Sequence, residues 1–259
     1  MVSWVRMTYV FILYRQHTMY KISILLGGRR MTHLRDERPV ERPEVENCSV
    51  TLVIDVSGSM NSLTPSGKSC IQEVNDGINR MIAELSNDGR LGSIVELSII
   101  TFSDKGSHQL YQGFSSIKEI AKLPPINLTT GTTTYAVDAL EMAHENIRSR
   151  VKKYHGGHWK PWLVFITDGA LHDDVAGIGQ TIRQDEQKGK LRVLCFGVPG
   201  FVPEQLALLS DRVFQIVNYN FAEFFSWIAQ SQAVVSTTPT GSNDPIQLPP
   251  TGAFTQISI

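Results

Sequence analysis

The chain has 259 residues, enough for one large α/β domain or two small ones, and a core of that size needs no disulfide or zinc ion. Lys and Arg total 24 and Asp and Glu total 25, so the formal net charge of -1 gives no attraction to nucleic acid or anionic lipid. Cys48, Cys70 and Cys195 form no CxxC pair. Isolated cysteines are typical of small buried residues in a reducing compartment, which predicts a cytoplasmic protein.

The first 30 residues contain basic side chains but no acidic one. Their two apolar runs, Tyr9–Tyr14 and Ile22–Leu26, are far shorter than the roughly 20 residues of a membrane-spanning helix. Neither run has the length and small-residue cleavage site of a secretory signal. Two interpretations stay open: an internal methionine such as Met31 is the true start, or the segment rests weakly on a membrane surface. We favour the first and expect residues 1–46 to be a leader at the periphery of the fold.

From Ser49 onward, short apolar segments alternate with segments whose apolar residues recur at helical spacing. The predicted strands are Val50–Ile54, Ile94–Phe102, Gln109–Phe114, Trp162–Thr167, Arg192–Val198 and Val213–Val217. The predicted helices are Cys70–Leu85, Ala136–Arg150, one between Asp168 and Arg192, Pro203–Leu209 and Phe221–Gln232.

This alternation predicts an α/β fold: a Rossmann-like, mostly parallel central sheet with helices on both faces. Gln109–Phe114 follows the preceding strand closely enough to pair with it, which gives one antiparallel edge strand. We expect the domain to span residues 47–235. The Pro-containing tail, residues 236–259, is predicted to be extended and mostly unfolded.

Polar residues follow the predicted strands at the edge where such sheets carry their sites. Asp55, Ser57 and Ser59 follow the first strand, Thr134 lies in a threonine-rich loop before a helix, and Asp168 follows a later strand. Carboxylate and hydroxyl oxygens are hard ligands that suit Mg²⁺ or Mn²⁺. Because the hydroxyls are neutral, the metal would keep affinity for one more anionic oxygen from outside. The intervening glycine is predicted to let the backbone bend sharply.

At these residues the chain resembles von Willebrand factor A domains. The segment Asp55–Ser59 after an apolar strand is similar to the DxSxS signature of their metal-ion-dependent adhesion site. That site adds a threonine and an aspartate from two further loops. Gly131–Leu140 resembles the threonine loop. Counting back six residues from the Leu of its Ala-Leu pair selects Thr134 and leaves Thr132 and Thr133 as alternatives.

Phe165–Gly169 resembles the family's third motif, Thr-Asp-Gly, and its aspartate is Asp168 in this chain. The resemblance covers roughly residues 48–232 and implies an Mg²⁺ or Mn²⁺ site that binds an acidic residue of a partner protein. A narrower resemblance, to intracellular TerY-type tellurium-resistance proteins, involves Phe224–Ser231 and Leu248–Pro250 and implies a role in tellurite or stress response. The insertion Asn61–Ser66 and the long leader depart from the compact form of that group.

Three residues are candidates for partner contact around the metal: Tyr135, His172 and Asn61. Alternatively, His172 and the two aspartates after it belong to a solvated loop and helix start. His155 and His158 invite a zinc interpretation, but no Cys or acid completes it and a solvated loop is favoured.

An enzyme is the alternative, because an Asp after a first strand is also the nucleophile of haloacid-dehalogenase-type phosphatases. Those enzymes need a second Asp two residues later, where this chain has Ser57, which cannot act as a general acid or base at neutral pH. A glycine-rich phosphate loop and a GxSxG elbow are also missing from the sequence. The sequence therefore predicts no enzyme. The second candidate function is a metal-binding subunit of an ATP-driven, chelatase-like assembly.

Overall fold

The computed structural model describes residues 14–15, 18–19, 37–41, 45–239 and 246–258. The chain forms two compact units, Met1–His33 and Leu34–Ile259. In the first unit, β1 (Tyr14–Arg15) pairs antiparallel with β2 (Thr18–Met19). Most of the predicted leader, including the candidate start at Met31, lies outside the described residues, so its peripheral position stays a prediction.

The second unit is built on a single seven-stranded sheet in the order β5-β4-β3-β6-β7-β8-β9. Its strands are β3 (Cys48–Asp55), β4 (Val95–Phe102), β5 (Gln109–Ser116), β6 (Trp162–Thr167), β7 (Arg192–Gly197), β8 (Val213–Ile216) and β9 (Phe254–Gln256). The inner strands are parallel and β5 pairs antiparallel with β4, which confirms the predicted fold class.

Helices cover the sheet, and the residues of β3 alternate between two apolar cores. Val50, Leu52 and Ile54 belong to one core, whereas Val53 belongs to the other. The helices are α1 (Cys70–Ser86), α2 (Leu91–Ile94), α3 (Ile117–Ile120), α4 (Val137–Val151), α5 (Ala176–Gln187), α6 (Pro203–Ala207) and α7 (Phe221–Val235). None of the helices in the described part of the chain has the length and apolar character needed to cross a membrane.

The C-terminal tail is part of the sheet, and the prediction that it is mostly unfolded is wrong for residues 246–258. Strand β9 pairs antiparallel with β8, so the sheet has a second antiparallel edge that the sequence did not predict. Phe254 packs between Phe196, Phe214 and Trp227, with ring centroids 4.8–5.0 Å away. The indole N–H of Trp227 also donates to the carbonyl of Pro249 at 2.8 Å. Burial of this aromatic ring offsets the ordering cost of a proline-containing segment.

Residues 37–41 also contact the domain, through the fully buried side chain of Arg150. The Arg150 guanidinium donates twice to the buried carboxylate of Glu96, at 2.8 Å each. It also donates to Glu37 at 3.0 Å and to the carbonyl of Arg38 at 2.7 Å. The hydroxyl of Tyr154 donates to the Glu96 carboxylate at 2.6 Å. Residues 37–41 thus contact the rest of the second unit, although they precede the predicted domain start at residue 47.

Candidate metal centre

Three loops meet at the carboxyl end of the sheet because β3 and β6 are parallel neighbours. The first loop follows β3 and continues into a short 3-10 helix, Gly58–Asn61. The second loop follows β6 and contains Asp168. The third, residues 127–136, precedes α4 and is joined to the first where the Gly131 N–H donates to the Val56 carbonyl at 2.6 Å. This is the arrangement expected for a site at the carboxyl edge of a parallel sheet.

Asp55 is the most deeply placed polar residue of the site, with 0 % of its surface exposed. One carboxylate oxygen accepts from the backbone N–H of Ser57 at 2.7 Å, and the other accepts from the hydroxyl of Thr167 at 2.6 Å. Burial raises the pKa of Asp55 to about 6, because desolvation outweighs these two hydrogen bonds, and Asp168 raises it further. A carboxylate in this position would gain free energy from a bound cation.

The two serines link the first loop to the second by a chain of hydrogen bonds. The Oγ atoms of Ser57 and Ser59 lie 2.9 Å apart, and the Ser59 hydroxyl donates to Oδ1 of Asp168 at 2.7 Å. Desolvation raises the pKa of Asp168 above its ordinary value, although the serine hydroxyls oppose the shift. Ser59 is exposed and Ser57 is buried, so the cluster of oxygens runs from the interior to the surface.

The threonine loop has three candidate hydroxyls, and the structure distinguishes them by their partners. The hydroxyl of Thr132 donates to Asp104, and that of Thr133 donates to the same carboxylate oxygen at 2.7 Å. These bonds help to hold the pKa of Asp104 below its usual range. Thr134 is 4 % exposed and its hydroxyl is not part of this bonded set. Of the three, Thr134 is therefore the one whose hydroxyl does not bond Asp104, and its role as a ligand stays a prediction.

Gly58 has a different role from the one predicted. Its φ is not positive, so the turn does not need the left-handed freedom of glycine. A Cβ atom at this position would instead lie 3.3 Å from the carbonyl oxygen of Thr132, to which the Gly58 N–H donates at 3.3 Å. A side chain at this position would crowd the first and third loops, which approach each other closely here.

The residues predicted to contact a partner are linked to the threonine loop, and their role in partner binding stays a prediction. The ring of Tyr135 stacks on that of His172, with centroids 5.5 Å apart. The backbone N–H of Thr134 donates to Nδ1 of His172 at 3.1 Å, so the exposed imidazole also fixes the threonine loop. The exposed Asn61 donates from its amide to the hydroxyl of Thr130 at 2.6 Å. His172 and Asn61 are thus hydrogen-bonded to the threonine loop, and Tyr135, which belongs to that loop, stacks on His172.

Leu63 stands out in the insertion after the first loop because 75 % of its surface is exposed. The segment that carries it is ordered: Leu63 bridges Ser69 in antiparallel fashion, and the Thr64 N–H donates to the Lys68 carbonyl at 2.9 Å. Upstream, the Ser62 N–H donates to the carbonyl of Ser59 at 2.8 Å. An apolar side chain is therefore held in solvent four positions after a candidate metal ligand.

Sequence reasoning missed three residues that support the site. Asp104 holds the threonine loop, and the Thr167 hydroxyl orients Asp55. Asp173, predicted to belong to a solvated loop, accepts from the N–H groups of Ala136 and Val137 at 3.0 and 2.8 Å, and so caps the start of α4. Asp104 lies just after β4, where its position at a strand end could have indicated a role.

The other candidate metal ligands do not form a site. Among the described residues, no group of three or more His, Cys, Asp and Glu side chains could hold a metal ion. Desolvation lowers the pKa of His158, whose ring lies 5.6 Å from that of Tyr154, as expected of a structural residue. The three cysteines are free and buried, as predicted.

The segment that carries these loops is similar to a known family of domains. Residues 50–170 match the model of the von Willebrand factor type A domain. That range contains all three loops of the candidate metal centre. The chain thus has a fold of the von Willebrand factor A type and is similar over these residues to that family, whose domains commonly act as protein-interaction modules with a metal-ion-dependent adhesion site. No curated protein matches the chain.

Solved structures with the same fold come from adhesion and matrix proteins. Proximal thread matrix protein 1 from the mussel byssus, with a zinc-occupied metal site, is 19% identical over 71% of this chain and 45% of that one, with a TM-score of 0.50. The von Willebrand factor domain of the pilus tip protein Mfa5 from Porphyromonas gingivalis is 10% identical over 77% and 99%, with a TM-score of 0.56.

The pilus adhesin SpaC from Lactobacillus rhamnosus GG is 13% identical over 77% of this chain and 32% of that one, with a TM-score of 0.56. The chain thus spans less than half of the mussel and Lactobacillus proteins. At these identities the comparison establishes the fold.

Proposed function

We propose that this chain is a metal-dependent protein-interaction module without catalytic activity. Asp55, Ser57, Ser59, Thr134 and Asp168 would hold Mg²⁺ or Mn²⁺, and a partner protein would supply an acidic side chain to the metal. The observation that carries the proposal is the continuous cluster of carboxylate and hydroxyl oxygens at the meeting point of three loops. When bound, the metal supplies a positive charge that attracts an external carboxylate.

The donor set of this cluster fits a hard divalent cation. Its candidate ligands are two carboxylates and three hydroxyls, and Mg²⁺ prefers oxygen ligands and retains some positions for water or an incoming group. Both carboxyl groups have raised pKa values from desolvation, a cost that a cation would offset. Zinc is included among the ions to test because the mussel protein carries zinc at its site.

The absence of catalysis is inferred from the roles of the nearby side chains. Ser57 occupies the position, two residues after Asp55, where a haloacid-dehalogenase-type phosphatase needs an acid. Nδ1 of His172 already accepts from the Thr134 backbone, and Asp173 is engaged by the start of α4. No matched pair of nucleophile and general base is found among the described residues of the site. Positioning of a partner is the chemistry that this arrangement supports.

The cellular setting is proposed from the resemblance to TerY-type proteins and from the isolated cysteines. We place the module in the cytoplasm, in the response to tellurite or related stress. The test is tellurite tolerance of cells whose only copy carries Asp55→Ala. Tolerance equal to that of wild type would contradict this setting without affecting the metal-binding proposal.

Calorimetric titration with Mg²⁺, Mn²⁺ and Zn²⁺ tests the metal site directly. We expect one site in the wild type and at least tenfold weaker binding in Asp55→Ala, because removing one charged ligand costs more than about 1.4 kcal/mol. Asp174→Ala is the matched control, since this exposed acid lies close by and bonds the start of α5. Equal affinity in wild type and Asp55→Ala would refute the site.

Partner recognition can be tested with a displayed peptide library that has one fixed Asp or Glu. Captured peptides should be released by EDTA, should not bind Asp55→Ala and should lose affinity when their acid is replaced by its amide. Leu63→Ala tests whether the insertion contributes an apolar contact. It should weaken peptide capture by the metal-bound protein, whereas Leu208→Ala should not. Leu208 is the other exposed large apolar residue in the described part of the chain, at 41 % exposure on α6's C-terminal side. Capture that is unaffected by EDTA would contradict the mechanism.

A further inference from the structure

A second cavity lies at the other end of the sheet from the metal centre. Its volume is about 440 Å³, it opens to the surface, and it is bordered by the start of β7, the start of β8, α7 and the C-terminal tail. Its walls are mainly aromatic and apolar, their two charged residues are Arg192 and Arg212, and they include no acidic residue. The remaining lining residues are Leu194, Phe214, Trp227, Leu248, Pro249, Thr251, Phe254 and Gln256.

Arg192 is an uncompensated cation among the described residues. It is the first residue of β7, is only partly exposed, and its guanidinium carbon lies 6.0 Å from the ring centroid of Trp162. No ion pair or side-chain hydrogen bond satisfies this guanidinium within the described part of the chain. Desolvation and the nearby Arg212 lower the pKa of Arg192 from its ordinary value. Buried charges are normally paired, so a half-buried arginine without an anion indicates a missing partner.

The nearest acid cannot be that partner because it is already engaged. Glu186 accepts from Arg212 at 2.6 Å, from the backbone N–H of Val193 at 2.7 Å and from the hydroxyl of Ser210 at 3.1 Å. Glu186 thus neutralises Arg212, and the charge of Arg192 is left at the cavity without an ion pair among the described residues. The exposed amide of Gln256 lines the same cavity and can add a neutral donor.

We propose that this cavity binds a small organic anion that joins a carboxylate or phosphate group to a flat apolar ring. Arg192 pairs with the anionic group, since its planar fork of donors matches both carboxylate and phosphate. The ring packs against the aromatic wall formed by Phe214 and Phe254. The tail residues of β9 complete the wall, so the site depends on the C-terminal segment being docked.

The site is distinct from the metal centre in position as well as in chemistry. Arg192 is at the amino end of β7, whereas the metal loops follow the carboxyl ends of β3 and β6. Because these strands are parallel, Arg192 and the metal loops lie at opposite ends of the strands. A ligand bound at Arg192 therefore does not compete with the proposed partner for the metal.

The test is a nuclear magnetic resonance titration of the full chain with benzoate and with phenyl phosphate, in EDTA to silence the metal centre. The indole N–H signals of Trp162 and Trp227 report on the site. We expect saturable shifts of these signals, at least about tenfold weaker binding in Arg192→Gln, and a smaller loss in Arg212→Gln. The loss in Arg212→Gln is smaller because that arginine is already paired with Glu186.

Two comparisons distinguish specific binding at this cavity from non-specific electrostatic attraction of the anion to the protein. Benzamide, the uncharged analogue, should bind at least about tenfold more weakly than benzoate, because it lacks the charge that Arg192 pairs with. Arg183→Gln, which removes a cation paired with Asp211 beside another cavity, should leave the titration unchanged. Unchanged affinity in Arg192→Gln, equal binding of benzamide, or shifts confined to the metal loops would each overturn the proposal. Arg192→Lys keeps the charge and should retain part of the affinity if the variant proteins are folded.

Discussion

Replacing Asp55 by Asn should stabilise the metal-free protein while abolishing metal binding. Raising the pKa of this carboxyl from 3.8 to about 6 corresponds to about 3 kcal/mol at neutral pH, where the group is charged in a buried position. The amide would keep the bond from the Ser57 N–H and donate to the Thr167 hydroxyl. That hydroxyl could turn its proton to the carbonyl of Gly169, 3.4 Å away. We therefore expect the free energy of unfolding to rise by about 2–3 kcal/mol in EDTA at pH 7.

The difference in the free energy of unfolding between Asp55→Asn and wild type should increase with pH. Because the folded pKa of Asp55 lies above its unfolded value, its contribution to stability is present below about pH 3.8 and is lost as pH rises through about 6. Wild type and Asp55→Asn should thus be similarly stable near pH 4 and diverge toward pH 7. Asp168, whose pKa is also raised by desolvation, acts in the same direction in both proteins.

The assay is urea unfolding at several pH values, with and without Mg²⁺. Metal at 100 times its dissociation constant should stabilise the wild type by about 2.7 kcal/mol and leave Asp55→Asn unchanged, so that the difference closes. Asp174→Asn, an exposed acid, is the control and should show no such pattern. The reasoning is refuted if Asp55→Asn is less stable than wild type in EDTA at pH 7, or if the difference does not vary with pH.

Three further substitutions test other contacts. Thr134→Val should weaken Mg²⁺ binding by about tenfold in calorimetry, and more than Thr133→Val, whose hydroxyl bonds an aspartate instead; the reverse order would reassign the ligand. Arg150→Ala should lower the free energy of unfolding by about 3–5 kcal/mol, because it leaves Glu96 buried without its partner; a loss under about 1 kcal/mol would show that water replaces the pair. Phe254→Ala should cost about 2 kcal/mol and increase hydrogen exchange along β8; unchanged exchange would mean that β9 does not protect this edge.

Much of the sheet could be predicted because its strands are apolar runs that end in turn-forming or polar residues. Trp162–Thr167 begins and ends as predicted, and the predicted start of α1 at Cys70 coincides with a capping box formed by Ser69 and Gln72. Short helices such as α2 and α3 were missed, since one turn of helix gives no readable periodicity.

The tail shows where local pattern misleads. Its prolines favour an extended chain, and extended chain is also what an edge strand requires. What decides between the two is the aromatic pocket that receives Phe254, and this pocket is formed by residues far away in the sequence. A lone aromatic residue after a run of prolines was the available signal.

The candidate ligands were predicted from motif order, but their supporting residues were not. Asp104 and Asp173 act across loops, by hydrogen bonds to segments that are about 30 to 40 positions distant in sequence. A local rule for helix capping assigns Asp173 to the helix after it, whereas the structure has it at the start of α4. Such long-range polar contacts depend on which loops the fold brings together.

The edge strand β9 has a consequence for how the chain folds during synthesis. Strand β8 leaves the ribosome well before residues 254–256, with the whole of α7 between them. Until β9 arrives, the backbone of β8 has an open edge and the rings of Phe196 and Phe214 lack their aromatic cover. Unpaired edges and exposed aromatic surface favour association with other chains. A chain in which α7 has formed and β9 has not yet docked would therefore present an unpaired sheet edge to other chains.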